Sequence, residues 1–298
     1  GIIALSTGAY GAQGRVLLFA VTIAVVVLVV YTLLRWIDHL SKLGRVGETI
    51  DRVEKAAMAA IRQRAQWPCL GAAAYPTDHA LAPGAMTIES EQTGYVQHID
   101  VLTLGAIAQH DCTHIYLEVV PGTFVHEGMP LLHVVSLGTR QDDGTQATRE
   151  KILSTLTIGN RRTFEHDPRF GLCVLSEIAS RALSPAVNDP GTAIDVIGRG
   201  VRTLTCWGKP GGSGRQTDQQ CEQVFVRGLN VDDLFEDFFA PISRDGAGVF
   251  EVDARLLKAL ISLAEINPVL FKTACLTLNV LVPMGEYAAE YAVLSSYL

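Results

Sequence analysis

Three residues in one short stretch carry side chains that bind transition metals. The stretch reads HDCTHI and places His110, Cys112 and His114 two positions apart. If the backbone is extended here, all three side chains point to one face and offer nitrogen and thiolate ligands to zinc or copper. The alternative is that they are ordinary surface and core residues. Because a protein metal site usually needs a complete ligand set, we expect no metal and keep these three as weak candidates.

A second set of polar residues precedes and enters the sequence RALSPAVNDPGTA, residues 181–193. A buried charge is costly unless it is paired, so these side chains are predicted to form a buried polar network that joins two helices. A ligand or ion site is the alternative interpretation. The candidates are Arg162, Asp167, Arg169, Arg181, Ser184, Asn188, Asp189 and Thr192. No Ser/His/Asp or Cys/His arrangement stands out locally, so the sequence predicts no enzyme, and a hydrolase is the less favoured reading.

Local backbone preferences explain much of the same stretch as a corner between two helices. Asp189 is suited to cap the following helix through its carboxylate, and Pro190 fits the first helical position, where a missing N–H has no partner. Ser184 precedes a proline, which disfavours a helical backbone and ends the preceding helix. The sequence therefore predicts a helix, a corner and a second helix around residues 184–190.

The longest apolar segment predicts a transmembrane helix over residues 16–34. It contains 19 residues without a charge, enough to span roughly 28 Å of hydrocarbon. Arg15 is the cation before it, whereas five cations follow closely, at Arg35, Lys42, Arg45, Arg52 and Lys55. Lysine and arginine are retained on the cytoplasmic side, so we expect the soluble part to face the cytoplasm. Six cysteines without a C-x-x-C pair agree with a reducing compartment.

The rest of the chain predicts an α+β membrane protein with a transmembrane helix, a small β-barrel-like unit, and a helical domain with minor strands. Residues 1–35 form the membrane region and residues 36–66 an amphipathic helix. Its apolar stripe is expected to pack on the protein's own domain or on the same helix of a second copy, and the alternative is that the helix lies flat on lipid. Residues 67–85 read as a linker, 86–140 as a β-rich domain, and 146–298 as a mainly helical cytoplasmic domain. The apolar tail after residue 267 is broken by two prolines and a lysine, which favours a buried helix pair over a second span.

The net charge and the absence of lysine from the β unit limit the partners and cofactors that we expect. A net charge of −7 gives no electrostatic reason to expect nucleic acid. The turn PGTFVHEGMPL is similar to hairpins of biotinyl and lipoyl carrier domains, which present a lysine for cofactor attachment. No lysine lies between Lys55 and Lys151, so covalent biotin or lipoate is excluded in the β unit and we expect no cofactor.

The segment NRRTFEHDPRFGLCVLSEIASRALSPAVNDPGTAIDVI, residues 160–197, resembles the central signature of a family of bacterial predicted membrane proteins, domain-of-unknown-function family 2254. The pattern there is R-T-x-x-x-D-x-x-F-G, an apolar helix, A-L-S-P, and N-D-P-x-T-A. The matching residues are Arg162, Thr163, Asp167, Phe170, Gly171, Ala182, Leu183, Ser184, Pro185, Asn188, Asp189, Pro190, Thr192 and Ala193. His166 departs from the pattern, where a polar residue such as glutamine is expected. The resemblance implies a bacterial inner-membrane protein with further membrane helices upstream, and it implies no reaction.

Two hypotheses on function follow. The first is a non-enzymatic, homo-oligomeric membrane assembly, channel-like or scaffolding, in contact with membrane lipid and with other membrane protein subunits. The second is a ligand- or ion-sensing module tethered to the membrane. A ring with a polar axis would favour the first, and a closed pocket that holds a ligand would favour the second.

Overall fold

The structure, a computed structural model, describes residues 12–43, 46–76, 85–137, 146–208, 221–266 and 270. The helices are α1 (Ala12–Leu43), α2 (Val46–Gln66), α3 (Val101–His110), α4 (Gln146–Leu153), α5 (Pro168–Leu183), α6 (Pro190–Gly208), α7 (Val231–Gly246) and α8 (Phe250–Ile266). The strands are β1 (Ala72–Ala74), β2 (Met86–Glu89), β3 (Gly94–Ile99), β4 (Thr113–Leu117), β5 (Phe124–Val125), β6 (Pro130–Ser136), β7 (Leu156–Gly159) and β8 (Cys221–Val226). The chain divides into two units, residues 1–52 and residues 53–298.

Helix α1 contains one segment, Phe19–Ile37, that is long and apolar enough to cross a membrane. Its mean hydropathy is 2.3, and no part of it is buried within the described structure. Side chains such as Val25 and Leu28 are more than half exposed, and so much contiguous apolar surface is unfavourable in water. The predicted span over residues 16–34 lies inside this helix. The membrane helices expected upstream, and the tail after residue 270, lie outside the described residues.

The larger unit contains two β-sheets, and seven of the eight described strands lie between residues 72 and 159. The five-stranded sheet has the order β1-β8-β4-β6-β2 and the three-stranded sheet the order β5-β3-β7. Strand β8 runs parallel to both of its neighbours, whereas the other pairings are antiparallel. The mixed α+β class is confirmed. Neither sheet closes on itself within the described strands, so the β-barrel-like unit is not confirmed.

Strands from outside residues 86–140 complete both sheets. Strand β1 lies in the segment that was predicted to be a linker, and β7 and β8 lie in the segment predicted to be mainly helical. The reason is visible in β8, whose Val224 and Val226 are fully buried in the same core as Ile115 of β4. Helix α3, which the sequence analysis missed, covers this sheet. It begins where the carboxylate of Asp100 accepts hydrogen bonds from the backbone N–H and hydroxyl of Thr103, at 3.0 and 2.7 Å.

The helices of the second half pack on one another through aromatic and small residues. Phe235, Phe238 and Phe239 on α7 are fully buried. Gly200 of α6 packs directly against the ring of Phe238, and the hydroxyl of Ser176 on α5 donates to the carbonyl of Phe238 at 3.0 Å. Helices α5, α6 and α7 therefore share one core, and α8 packs against α6 and α7.

Helix α2 packs its apolar stripe within its own chain. Ala57, Ala60 and Ile61 are buried, and Gly171 of α5 packs against Ala57. Of the interpretations of this stripe, packing on the protein's own domain fits residues 57–61. The same helix buries an acid: Glu54 is 8% exposed.

Two arginines of α6 hold the carboxylate of Glu54. Arg202 donates from Nε and Nη2 at 2.7 and 3.1 Å, and Arg199 donates from Nη1 at 2.8 Å. We expect Glu54→Gln to lower the free energy of unfolding by about 2 kcal/mol, because it removes the buried charge that both arginines contact, and Arg199 keeps Asp195 as a partner. Urea denaturation followed by circular dichroism measures the loss. Glu48→Gln is the matched control, since Glu48 pairs with Arg52 on the exposed surface of the same helix; a loss as large for Glu48→Gln would contradict the prediction.

Candidate functional site

The three metal candidates do not lie in one strand, so the extended backbone assumed for them is wrong. His110 ends α3, Cys112 has a positive φ of 49°, and only His114 lies in β4. The chain turns here because α3 must reverse direction to enter the sheet. His110 pairs with the adjacent Asp111 at 2.7 Å. Across the described residues, no three histidine, cysteine, aspartate or glutamate side chains converge on a common point.

The predicted polar residues separate into two sets at opposite ends of α5. Arg162 and Asp167 precede the helix and Arg169 lies in its first turn, whereas the set from Arg181 to Thr192 begins in its last turn. A helix of 16 residues holds its ends roughly 24 Å apart. The structure therefore does not bring the candidates together in one network.

The set at the end of α5 forms an exposed corner. The hydroxyl of Ser184 donates to the carbonyl of Arg181 at 2.7 Å, and Asn188 takes a positive φ of 50°. Asp189 accepts from the backbone N–H and hydroxyl of Thr192 at 3.1 and 2.6 Å, and these hydrogen bonds lower the pKa of Asp189. Arg181, Asn188 and Asp189 are exposed. The helix end, the turn and the helix start agree with the predicted corner, and Ser184 and Asp189 bond backbone groups there.

At the start of α5 a buried carboxylate holds several elements together. Asp167 is 2% exposed and accepts backbone hydrogen bonds from Arg169 and Phe170, both at 3.1 Å. Arg162 grips the same carboxylate with Nε at 2.7 Å and Nη2 at 3.0 Å. Arg169 itself reaches α7, where Asp237 and Asp233 accept its N–H groups at 2.6 to 3.0 Å. The hydrogen bonds to Asp237 are the largest cause of the raised pKa of Arg169.

A tight turn covers the Asp167 carboxylate. Gly122 has a positive φ of 97°, and a Cβ added there would lie 2.8 Å from Oδ1 of Asp167. The backbone N–H of Gly122 donates to the carbonyl of Val96 at 2.8 Å, which fixes the turn to β3. The start of α5 and the sheet are thus in direct contact through a position that only glycine fits.

Beside this turn lies a cleft of about 450 Å³. Helix α2 and the residues after it form one wall, with Arg64, Trp67 and Leu70. The junction of β3 and α3 forms a second wall, with His98 and Asp100, and Pro121 and His166 complete the lining. Sequence reasoning missed this site, because its residues come from four separate parts of the chain. The one signal was His166, which departs from the family pattern.

Arg64 is the least expected group in the cleft wall. It is 3% exposed, and its Nη2 donates to the carbonyl of His166 at 3.0 Å. Within the described part of the chain, no carboxylate lies within ion-pair distance of it. Burial lowers the pKa of Arg64 to about 10, and the nearby charge of Asp167 opposes this shift. The guanidinium therefore stays protonated at neutral pH.

Two imidazole rings face each other in the same cleft. The ring centroids of His98 and His166 are 4.6 Å apart. Burial is the main cause that lowers the pKa of His166, and His98 and Arg64 lower it further, while Glu165 opposes them. His166 is therefore neutral at pH 7 and is able both to donate and to accept a hydrogen bond.

The lowered pKa of His166 predicts a pH effect on stability. Between the ordinary histidine pKa of about 6.5 and the lower pKa in the folded protein, the unfolded chain binds more protons at this residue than the folded chain. We therefore expect the free energy of unfolding to fall as the pH drops through this window. Urea denaturation at pH 7.5 and 5.5 measures it, and His166→Gln should reduce the decline. An equal decline in the variant would contradict the role of His166.

Comparison with known proteins places the chain in a family. A segment of 113 residues is 34% identical to an uncharacterised protein of Mycobacterium bovis and, at the same identity, to uncharacterised proteins of two strains of Mycobacterium tuberculosis. This segment is 38% of the present chain and 22% of each relative, so the match spans about a fifth of the relatives' length. No solved structure matches the chain. The profile of the predicted membrane proteins of domain-of-unknown-function family 2254 matches residues 1–262, and the chain therefore belongs to this family.

Proposed function

We propose that the protein is a ligand-binding module tethered to the membrane, in which α1 is the anchor and the cleft beside Arg64 is the binding site. The observation that carries the proposal is a buried, permanently charged Arg64 in the wall of an open cleft. A buried cation without a carboxylate partner destabilises the folded protein. Such an unpaired charge is typical of a site where a ligand supplies the opposite charge.

Trp67 gives the proposal a direct test. It lines the cleft, so a bound ligand should change its fluorescence. The full chain in non-ionic detergent is titrated with four small probes: phenyl phosphate, benzoate, benzylamine and benzyl alcohol. We expect at least one to change the emission saturably. Trp67→Phe should remove the response, and Trp36→Phe, in α1, should keep it. No saturable response to any probe would contradict the proposed function.

A homo-oligomeric channel-like or scaffolding assembly is the second candidate. It is favoured by the all-round exposure of apolar side chains on α1, which lipid, other copies or other membrane subunits would cover. A single helix does not enclose a pore, so a channel built on this span would need several copies. A native mass spectrum of the detergent-solubilised protein tests this candidate. A defined ring of several subunits supports it, and a monomer contradicts it.

The side of the membrane is part of the same proposal. We propose that the unit of residues 53–298 faces the cytoplasm of a bacterial inner membrane, as the cations after residue 34 suggest. Cys112 is an exposed free thiol and serves as the reporter. A membrane-impermeant maleimide should label it in lysed cells and leave it unlabelled in intact spheroplasts, with Cys112→Ser as the control. Labelling in intact spheroplasts would reverse the proposed orientation.

A further inference from the structure

We infer that the cleft binds a small organic anion, with its carboxylate or phosphate group against Arg64 and its apolar part against Trp67 and Leu70. The inference rests on the proposed ligand-binding function and adds the class of ligand. Three independent features of the cleft carry it: its charge balance, its hydrogen-bond donors and its apolar wall.

Within the described residues, no carboxylate is in ion-pair contact with the Arg64 cation. Asp167 is the nearest carboxylate that affects it, but both oxygens of Asp167 are already taken by the two-pronged contact with Arg162 and by two backbone N–H groups. Asp100 also lines the cleft, and its oxygens accept from Thr103 at the start of α3. Neither acid forms an ion pair with Arg64. The formal charges of Arg64 and Asp100 in the lining balance each other, but the guanidinium itself is left without a carboxylate in contact, so an anion beside it gains a direct charge interaction.

The donors match an oxyanion. A guanidinium has five N–H donors in a fixed plane, and the structure shows one of them bound, to the carbonyl of His166. A fully buried side-chain oxygen or nitrogen without a hydrogen-bond partner occurs once in the described residues, at Ser180 Oγ. The Arg64 nitrogens that have no partner are therefore not fully buried, and they remain accessible from the cleft. His98 and His166 add imidazole N–H groups in the same lining, which together suit a carboxylate or a phosphate.

The apolar wall excludes a bare inorganic ion as the fitting ligand. Trp67, Leu70 and Pro121 line the cleft with the polar groups. The volume of about 450 Å³ lies within the range of about 300 to 1,000 Å³ typical of small-molecule sites. An inorganic phosphate would leave most of this space, and all of the apolar wall, to water. An anion with an aromatic or aliphatic body fills both.

The decisive experiment compares ligands of one shape and different charge. Calorimetric titration of the full chain in non-ionic detergent should show that phenyl phosphate or benzoate binds at least tenfold more tightly than benzylamine or benzyl alcohol. Binding of benzylamine or benzyl alcohol with equal affinity would contradict the preference for an anion. The proposed ligand-binding function would still hold. Binding of none would overturn both.

A pair of arginine variants tests whether Arg64 is the cation that binds the anion. Arg64→Gln should weaken the binding of phenyl phosphate at least tenfold, whereas Arg62→Gln, an exposed arginine of the same helix, should change it less than twofold. Equal effects would overturn the role of Arg64. If Arg64→Gln does not fold, the comparison of charged and neutral probes on the unmodified chain still decides the inference.

The anion has two sources, a soluble metabolite and a membrane lipid headgroup. Dihexanoyl phosphatidic acid, a water-soluble lipid, is titrated beside phenyl phosphate. Tighter binding of the lipid assigns the cleft to a headgroup, and tighter binding of phenyl phosphate assigns it to a soluble ligand. Both results support binding of an anion. Failure of both phosphates and of benzoate to bind overturns it.

Discussion

Asp167→Asn should lower the free energy of unfolding of the larger unit by about 3 to 5 kcal/mol, the usual loss when one partner of a buried ion pair is removed. Asparagine caps a helix about as well as aspartate does, so the capping of α5 survives the change. What disappears is the charge that compensates Arg162 at 2.7 and 3.0 Å and opposes the lowered pKa of Arg64. The loss is a large fraction of the 5 to 15 kcal/mol typical of a domain.

Asp189→Asn is the matched control for this prediction. Asp189 also caps a helix, α6, by accepting from the backbone N–H and the hydroxyl of Thr192, but it is exposed. The control variant should therefore unfold at nearly the urea concentration of the unmodified protein. Circular dichroism during urea denaturation compares the three proteins. Equal losses for both variants would show that the buried charge has no special role.

Gly122→Ala should cost about 3 kcal/mol or more, because two independent penalties coincide. A left-handed backbone costs a residue with a side chain about 1 to 2 kcal/mol, and Gly122 has a φ of 97°. A methyl group forced into a filled site adds about 1 to 3 kcal/mol, and here it would meet the carboxylate of Asp167. The change should also disturb the adjoining cleft, so that the unfolding transition shifts and phenyl phosphate binds less tightly.

Gly128→Ala separates the two penalties. Gly128 also has a positive φ, 81°, but no atom lies within 4 Å of the Cβ position. The control variant should therefore lose about 1 to 2 kcal/mol from the backbone alone. Thermal unfolding of both variants measures the difference. A loss at position 128 as large as the loss at position 122 would show that contact with Asp167 adds nothing.

The corner at residues 184–190 could be predicted because its determinants are local. Ser184, Asp189 and Pro190 act on backbone groups within three residues, so their types and order suffice. The helices α5 and α8 were predictable for the same reason, since each shows its buried face as a regular spacing. The strands β1 and β7 were not, because their pairing is with β8 and β3, far away in the sequence.

The cleft was beyond sequence reasoning for a physical reason. Arg64 and His166 are about a hundred residues apart, and their hydrogen bond exists only after α2 and the start of α5 have packed. Arg64 lies three residues after Ile61 and seven after Ala57, the spacing of the buried face of α2. A charged residue in this position is usually taken for the edge of the apolar stripe, so its type hides its burial. The polar residues after Arg181 gave a stronger pattern, yet the hydrogen bonds of Ser184, Asp189 and Thr192 are local to the corner. Regular spacing of apolar residues predicts helices and strands. It does not predict the candidate site, whose residues come from four separate parts of the chain.

The parallel pairing of β1 with β8 has a consequence for biosynthesis. β8 is translated about 150 residues after β1, a delay of about 7 to 30 s at ordinary elongation rates of 5 to 20 residues per second. During this delay β1 and β4 lack the strand that joins them, and their unpaired edges are open to other chains. The apolar segment of α1 has by then already left the ribosome. The candidate membrane helix is thus synthesised well before β8, the strand that completes the five-stranded sheet.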